Sequence, residues 1–162
     1  MAITERLKRV LDTERVRYEV LPHHEEFTAR RVAAASDVPG RQVAKVLICR
    51  DDAGRWLMAV LPAACRIDLI ALQAAAGTGK LTLATEAEFE PLFPDCETGA
   101  MPPFGTLWNM PLYVDACFPR AKDFVFQGGN HHEVVVMPYE AYERIARPLA
   151  GEFCLEKRVA AA

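Results

Sequence analysis

The sequence lacks the features that define several common classes of protein. No apolar run approaches the ~20 residues that span a bilayer, and residues 1–6 are charged and amphipathic with no apolar signal core. Acidic residues outnumber basic ones, 22 Asp+Glu against 19 Lys+Arg, which gives a formal charge of −3. That balance excludes binding nucleic acid through a broad basic face, although one or two cations can still grip a nucleic-acid end. We therefore expect a soluble protein.

Cysteines are few and none forms a Cys-x-x-Cys pair. The five are widely spaced, at Cys49, Cys65, Cys96, Cys117 and Cys154. This pattern indicates neither a zinc knuckle nor a disulfide framework. The sequence therefore predicts reduced thiols in a cytoplasmic protein.

What is present favours one α+β domain over residues 1–162. Hydrophobic residues make up 51% of the 162 residues, enough for one core. Two β-rich runs, 43–49 and 56–61, are separated by an Asp/Gly turn and predict a hairpin. Helices are predicted over 4–16, 29–35, 69–76, 85–92 and 139–146, and further strands over 16–21, 81–83, 112–114, 124–126 and 133–137. The strands fall in the middle of the domain, with helices around them.

Two motifs suggest chemistry that their spacing does not support. Gly77–Lys80 resembles a phosphate-binding loop, but that loop requires Gly at the position of Ala74 and Ser or Thr at the position of Leu81. His131 and His132 are neighbours on a predicted strand, so they point to opposite faces and cannot share an ion without a bulge. We expect no metal and no cofactor.

Lys45 is the only charged residue in the apolar run 43–48. With a period of two it shares a strand face with Val43 and Leu47. A single ammonium group there either is exposed and protects an edge strand from pairing with another chain, or is the polar group of a pocket. The sequence leaves both readings open.

The segment Gly99–Gly105 combines two glycines with Pro102-Pro103. A stiff loop with bare N–H groups can direct donors at a carbonyl or an oxyanion, and the alternative is a proline-rich surface turn. Gly128-Gly129, directly after a predicted strand, either lets the backbone approach a ligand or forms a bulge.

Several segments, in order over residues 25–145, resemble the YbaK-like aminoacyl-tRNA deacylases, the prolyl-tRNA synthetase-associated editing domains. The matching segments are Phe27-Thr28-Ala29, Val43–Leu47, Leu61-Pro62, Arg66–Leu69, Leu83-Ala84, Gly99–Gly105, Tyr113-Val114-Asp115 and Gly128-Gly129. The resemblance implies a mixed, mostly antiparallel, barrel-like sheet surrounded by helices. It also implies hydrolysis of the ester that joins a wrong amino acid to tRNA.

The resemblance also assigns the site residues. Lys45 falls on the family's pocket lysine, and the catalytic backbone donors fall on Gly99, Ala100, Met101 and Gly105. Substrate-binding residues are expected at Phe27, Thr28, Pro102, Pro103, Phe104, Asp115, Gly128, Gly129 and Asn130, with Phe27, Met101 and Phe104 as pocket walls. An aminoacyl ester is already activated, so no covalent nucleophile is required. The expected partners are the acceptor end of an aminoacyl-tRNA and a synthetase, with no membrane and no DNA.

Two departures keep other functions open. The family often has Ser and a small polar residue where this chain has Ala100 and Pro102. A catalytically weak module that binds tRNA ends or a synthetase is therefore one alternative, and the amino acid is not assigned. A hydrolase that uses Cys and His on small thioesters or amides is the other alternative.

Overall fold

The fold combines four α-helices and ten strands within the residues that the computed structural model describes, 3–22 and 42–155. The helices are α1 (Glu5–Thr13), α2 (Leu69–Ala76), α3 (Glu86–Phe89) and α4 (Tyr139–Ala146), with 3₁₀ turns at Glu90–Leu92 and Gly105–Trp108. The strands are β1 (Glu19–Pro22), β2 (Ala44–Asp51), β3 (Trp56–Pro62), β4 (Arg66–Ile67), β5 (Leu81–Leu83), β6 (Leu112–Asp115), β7 (Asp123–Gln127), β8 (Glu133–Pro138), β9 (Leu149–Gly151) and β10 (Cys154–Leu155). None of the helices in these ranges is long and apolar enough to cross a bilayer.

Side-chain caps begin three of the predicted helices, at or next to their predicted first residues. The Leu7 N–H donates to Thr4 Oγ1 at 3.3 Å to begin α1, and the Ala71 N–H donates to Asp68 Oδ1 at 3.0 Å to begin α2. Thr85 and Glu88 form the reciprocal capping box of α3. The helix predicted over 29–35 lies outside the described residues.

A five-stranded mixed sheet forms the centre, in the order β5-β2-β3-β6-β9. The predicted hairpin is confirmed, with β2 and β3 antiparallel from Ala44↔Pro62 to Arg50↔Trp56. Asp51 stabilises the turn by accepting hydrogen bonds from the N–H groups of Ala53 and Arg55 at 2.9 and 2.8 Å. The pairs β3–β6 and β6–β9 are parallel.

Two smaller sheets complete the α+β fold, in the order β1-β8-β7 and β10-β4. A parallel bridge between Val43 and Val125 connects the central sheet to the three-stranded one. The α+β class predicted from the sequence is confirmed. Among the described strands, however, the sheets do not close into the expected barrel, because that bridge is only one residue pair long.

The core lies on both faces of β3, which is buried along almost its whole length. Met58 and Val60 face an aromatic-rich cluster that includes Phe104 and Tyr142. Leu57, Ala59 and Leu61 face a smaller cluster that α2 covers. Burial on both faces explains why this strand is continuously apolar.

The prediction of reduced thiols is wrong for two cysteines, because Cys65 and Cys154 form a disulfide. The bonded residues are 89 positions apart and meet where β4 pairs with β10, Cys154 opposite Ile67. Strands β4 and β10 are only two residues long and carry no alternation that predicts them. The sequence therefore could not reveal this proximity.

Candidate functional site

A cavity of about 450 Å³ lies along the first half of β2. The described residues that line it are mostly apolar, with one ammonium, one carboxylate and one amide side chain among them. The lining residues are Ala44, Lys45, Val46, Leu47, Ile48, Ala63, Leu83, Ala84, Glu86, Phe89, Gly99, Met101 and Gln127. This size and this mixture are typical of a site for a small ligand.

Among the described strands, the sheet leaves the first half of β2 uncovered on one edge, and the cavity lies there. Strand β5 pairs only with the end of β2, from Cys49↔Leu83 to Asp51↔Leu81. In the described part of the chain, residues 44–47 therefore have a strand neighbour only on the β3 side. The chain after β5 and the segment around Gly99 form the opposite wall.

Lys45 lies in this cavity and is half-buried, which favours the pocket reading over the exposed edge. Its Nζ donates a hydrogen bond to the Cys65 carbonyl oxygen. The chain after β3 turns back to present that oxygen, since the Cys65 N–H donates to the Pro62 oxygen at 2.9 Å and the Ala63 N–H to the Val43 oxygen at 2.8 Å. This hydrogen bond therefore positions the ammonium group of a residue that lines the cavity.

The start of the Gly99–Gly105 loop reaches the same cavity. Gly99 has φ +89°, which favours glycine, and among the described residues a Cβ there would approach only His131 Cε1, at 3.8 Å. The Ala100 N–H donates to the Glu97 oxygen at 3.0 Å and the Phe104 N–H to the Pro102 oxygen at 2.8 Å, while prolines have no N–H. The N–H groups of Gly99 and Met101 have no acceptor among the described residues. Both residues line the cavity.

A buried histidine holds the peptide before Gly99. His131 Nε2 lies 2.9 Å from the Thr98 oxygen, and its Nδ1 lies 3.2 Å from Gln127 Nε2. The carbonyl accepts, so Nε2 carries the proton and Nδ1 accepts from the amide. This arrangement connects Gln127, a cavity residue, to the backbone that carries the Gly99 N–H.

The remainder of the loop lies in the core and not on the cavity. Ala100, Pro102, Pro103 and Phe104 are buried, and the Pro103 oxygen accepts from the Tyr142 hydroxyl at 2.8 Å. A Cβ on Gly105 would overlap the Met110 carbonyl oxygen. The expected roles of these residues toward substrate stay predictions, but their visible contacts are packing contacts.

Gly128, Gly129 and Asn130 also pack against the protein. A Cβ on Gly128 would lie 2.7 Å from Ile3 Cγ2, and one on Gly129, at φ +115°, would overlap Thr4 Cγ2. Asn130 Oδ1 accepts from the N–H groups of residues 132 and 133 at 2.8 and 2.9 Å. The two glycines therefore allow the start of α1 to approach closely.

Of the remaining predicted site residues, only Asp115 lies in the described chain, and it does not line the cavity. Asp115 is buried beside the disulfide, where its carboxylate accepts hydrogen bonds from backbone N–H groups of residues 117, 153 and 154. Phe27 and Thr28 lie outside the described residues.

Glu86, Phe89 and Gln127 line the cavity, although the sequence did not predict them as site residues. Gln127 had a usable signal, as the polar last residue of an apolar strand just before Gly128-Gly129. Glu86 and Phe89 belong to the short helix that its capping box identified, but nothing local indicated which face it turns to the cavity.

No described cysteine or histidine lines the cavity. Burial raises the pKa of Cys49 and of Cys96 to about 12, which disfavours the thiolate needed for nucleophilic attack. Within residues 3–22 and 42–155, the one group with metal-ligand spacing is Cys65, Cys117 and Cys154. Two of these three are joined in the disulfide.

Comparisons with known proteins gave one family match and several similar folds. The aminoacyl-tRNA editing domain family matches residues 23–145. A search of curated proteins found no match.

Among solved structures, the hypothetical protein APE2540 is similar, with a TM-score of 0.82 and 20% identity over 93% of this chain and 100% of that one. A proposed trans-editing enzyme for prolyl-tRNA synthetase has a TM-score of 0.77 and 21% identity over 93% and 95%. A proposed signal transduction protein from Marinobacter aquaeolei VT8 has a TM-score of 0.73 and 16% identity, and the match covers 96% of this chain but only 31% of that one. At these identities the structures show a shared fold.

Proposed function

The chain belongs to the aminoacyl-tRNA editing domain family, and we propose that it hydrolyses the ester that joins a small mischarged amino acid to the 3′ end of tRNA. One observation carries this proposal. Lys45 and two backbone N–H groups without acceptors in the described chain, those of Gly99 and Met101, line the same cavity.

The chemistry needs few groups because the ester is already activated. Water adds to the ester carbonyl carbon, the bond to the ribose oxygen breaks, and a proton from the water passes to that oxygen. The N–H groups of Gly99 and Met101 stabilise the developing oxyanion. Lys45 adds a positive charge beside the ester or the terminal phosphate, and the neighbouring ribose hydroxyl assists. No cofactor and no covalent nucleophile take part.

The walls select for size. Ile48, Phe89 and Met101 give the cavity an apolar lining, and Phe27 adds a further wall in our proposal. In our proposal the cavity of about 450 Å³ holds a small amino acid together with part of the terminal nucleoside, and a larger side chain does not fit beside that nucleoside. We propose alanine, serine, glycine and cysteine as the candidate amino acids.

We further propose that residues 1–162 act as one YbaK-like editing domain in the cytoplasm, on free or synthetase-bound tRNA. The resemblance to a proposed trans-editing enzyme for prolyl-tRNA synthetase supports a synthetase partner. A cytoplasmic location also means that the Cys65–Cys154 disulfide forms under reducing conditions, where disulfides are usually transient.

The test is deacylation of tRNAs that carry alanine, serine, glycine or cysteine. The wild type is compared with Lys45→Met, which removes the ammonium group and keeps the aliphatic stem. Release of one small amino acid is expected, with kcat/KM roughly 100-fold lower in Lys45→Met. Lys80→Met, at an exposed position outside the cavity, is the matched control and leaves the rate unchanged.

Other outcomes favour the alternatives. No release from any tRNA, together with retained binding of the acceptor end, would favour a binding module. Activity that disappears in Cys49→Ala or Cys96→Ala would favour a Cys/His hydrolase.

A further inference from the structure

Three cysteines meet at one point away from the cavity. The Sγ atoms of Cys65, Cys117 and Cys154 all lie within 4.8 Å of one another. Cys65 and Cys154 are joined, and Cys117 is an exposed thiol outside that disulfide. The proposed deacylation uses none of these sulfur atoms.

One buried carboxylate positions the main chain at two of the three cysteines. Asp115 is only 2% exposed. Its Oδ2 accepts from the Cys117 N–H at 3.0 Å, and its Oδ1 accepts from the N–H groups of Phe153 and Cys154 at 2.8 and 2.9 Å. The third cysteine, Cys65, directly precedes β4 and is positioned by the pairing of β4 with β10. The arrangement is therefore built by specific contacts and does not depend on the disulfide alone.

We propose that Cys65, Cys117 and Cys154 form a thiol–disulfide exchange site. Asp115 holds the backbones of Cys117 and Cys154 close together. The Cys117 thiolate therefore attacks Sγ of Cys154, so that a Cys117–Cys154 disulfide forms and the Cys65–Cys154 bond breaks. The proton lost by Cys117 is regained by the displaced Cys65 thiolate, and no net oxidation occurs. Full reduction requires a low-molecular-weight thiol, such as glutathione, as the electron donor.

The exchange reaches the cavity through Cys65. The carbonyl oxygen of this residue accepts the hydrogen bond from Lys45 Nζ. When the Cys65 sulfur is released, the residue that positions the ammonium group loses its covalent attachment to β10. We therefore expect the exchange to alter deacylation, a consequence that rests on the proposed function.

The first experiment maps the disulfides without any tRNA. Full-length protein is equilibrated in glutathione buffers, quenched with acid, alkylated and digested with trypsin and an Asp-specific protease. Mass spectrometry should recover Cys117–Cys154 peptides beside the Cys65–Cys154 peptides. Recovery of the Cys65–Cys154 pair alone at every glutathione ratio would overturn the exchange, and a Cys65–Cys117 pair in place of Cys117–Cys154 would overturn the assigned direction of attack.

Two variants and a control sharpen this result. When glutathione is limiting, the disulfide of Cys117→Ser should be reduced roughly ten-fold more slowly than that of the wild type, because an intramolecular attack is lost. Cys65→Ser should trap the Cys117–Cys154 disulfide in oxidised glutathione. Cys96→Ser, outside the cluster, should behave as the wild type. Reduction of Cys117→Ser at the wild-type rate, or mixed glutathione disulfides instead of Cys117–Cys154 in Cys65→Ser, would contradict the proposal.

A second readout tests the connection to Lys45. Deacylation by disulfide-bonded wild type is compared with that of the glutathione-reduced form, and kcat or KM should change several-fold. An unchanged rate with mapped exchange would overturn only the coupling to Lys45. If no tRNA is deacylated at all, the proposed function fails, whereas the disulfide map still decides the exchange.

Discussion

The sequence predicts one site, but the structure divides its residues between two regions of the molecule. The cavity wall holds Lys45, Gly99 and Met101, and the packed segments hold Gly105, Gly129 and Asp115. A Cβ on Gly99 would have ordinary space around it, whereas a Cβ on Gly105 or Gly129 would overlap protein atoms. A glycine that leaves room for a ligand and one that allows two segments to pack look the same in a sequence.

Gly129→Ala should give the largest loss of stability among these positions. The substitution combines φ +115° with overlap at Thr4, and we expect the free energy of unfolding to fall by about 3 kcal/mol. Urea denaturation measures the change. Gly77→Ala, at φ +65° with nothing within 4 Å, combines a left-handed backbone with open space and should cost about 1 kcal/mol. Equal losses in the two variants would show that the contact with Thr4 is unimportant.

Asp115→Asn should also lower the free energy of unfolding, by about 2 kcal/mol. Asp115 accepts three backbone hydrogen bonds through its two oxygens, and in asparagine the NH₂ group would face one or two of those N–H donors. Thermal unfolding of the reduced protein measures this loss without the disulfide. A larger effect on KM for mischarged tRNA than on stability would instead place Asp115 in the substrate site.

Gly99→Ala should show the opposite balance, with activity more affected than stability. The positive φ is strained for alanine, but the side chain has space. We expect kcat to fall roughly ten-fold as the N–H donors move, with a loss of about 1 kcal/mol in unfolding free energy. Single-turnover deacylation and urea denaturation together give the two numbers. Full activity would remove this segment from the proposed oxyanion site.

Tyr142→Phe should have the smallest effect. It removes the hydroxyl that donates to the Pro103 oxygen in the core, with an expected loss of about 1 kcal/mol. Burial holds the pKa of Tyr142 well above its usual value of 10, so the hydroxyl keeps its proton and this hydrogen bond into alkaline solution. Tyr139→Phe is the matched control, and thermal unfolding compares the two. Equal losses would indicate that the bond to Pro103 does not hold the loop.

Local sequence patterns predict much of the fold. The turn of the β2–β3 hairpin and the starts of α2 and α3 are decided within a few residues, so the sequence predicts them. Strands β4, β9 and β10 are two or three residues long and exist only through tertiary pairing. The same contacts brought Cys65 to Cys154.

The candidate site was predictable in part for the same reason. Lys45 stands out as a charge within an apolar strand, but its face was decided by the turn that presents the Cys65 oxygen. Gln127 reaches the cavity because β7 ends beside Gly99, which depends on how the sheets meet. Residue type indicated candidate donors, and packing decided which of them face the cavity.

The most direct measurement is a ¹H–¹⁵N titration with a non-hydrolysable amide analogue of alanyl-adenosine, the terminal part of the proposed substrate. The proposal predicts that the amide resonances of Gly99 and Met101 shift most, with the Gln127 side-chain amide, while those of Gly105 and Gly129 stay nearly unchanged. Shifts at Gly105 and Gly129 with Gly99 and Met101 unmoved would contradict the division between cavity and packing. They would place the substrate elsewhere on the molecule.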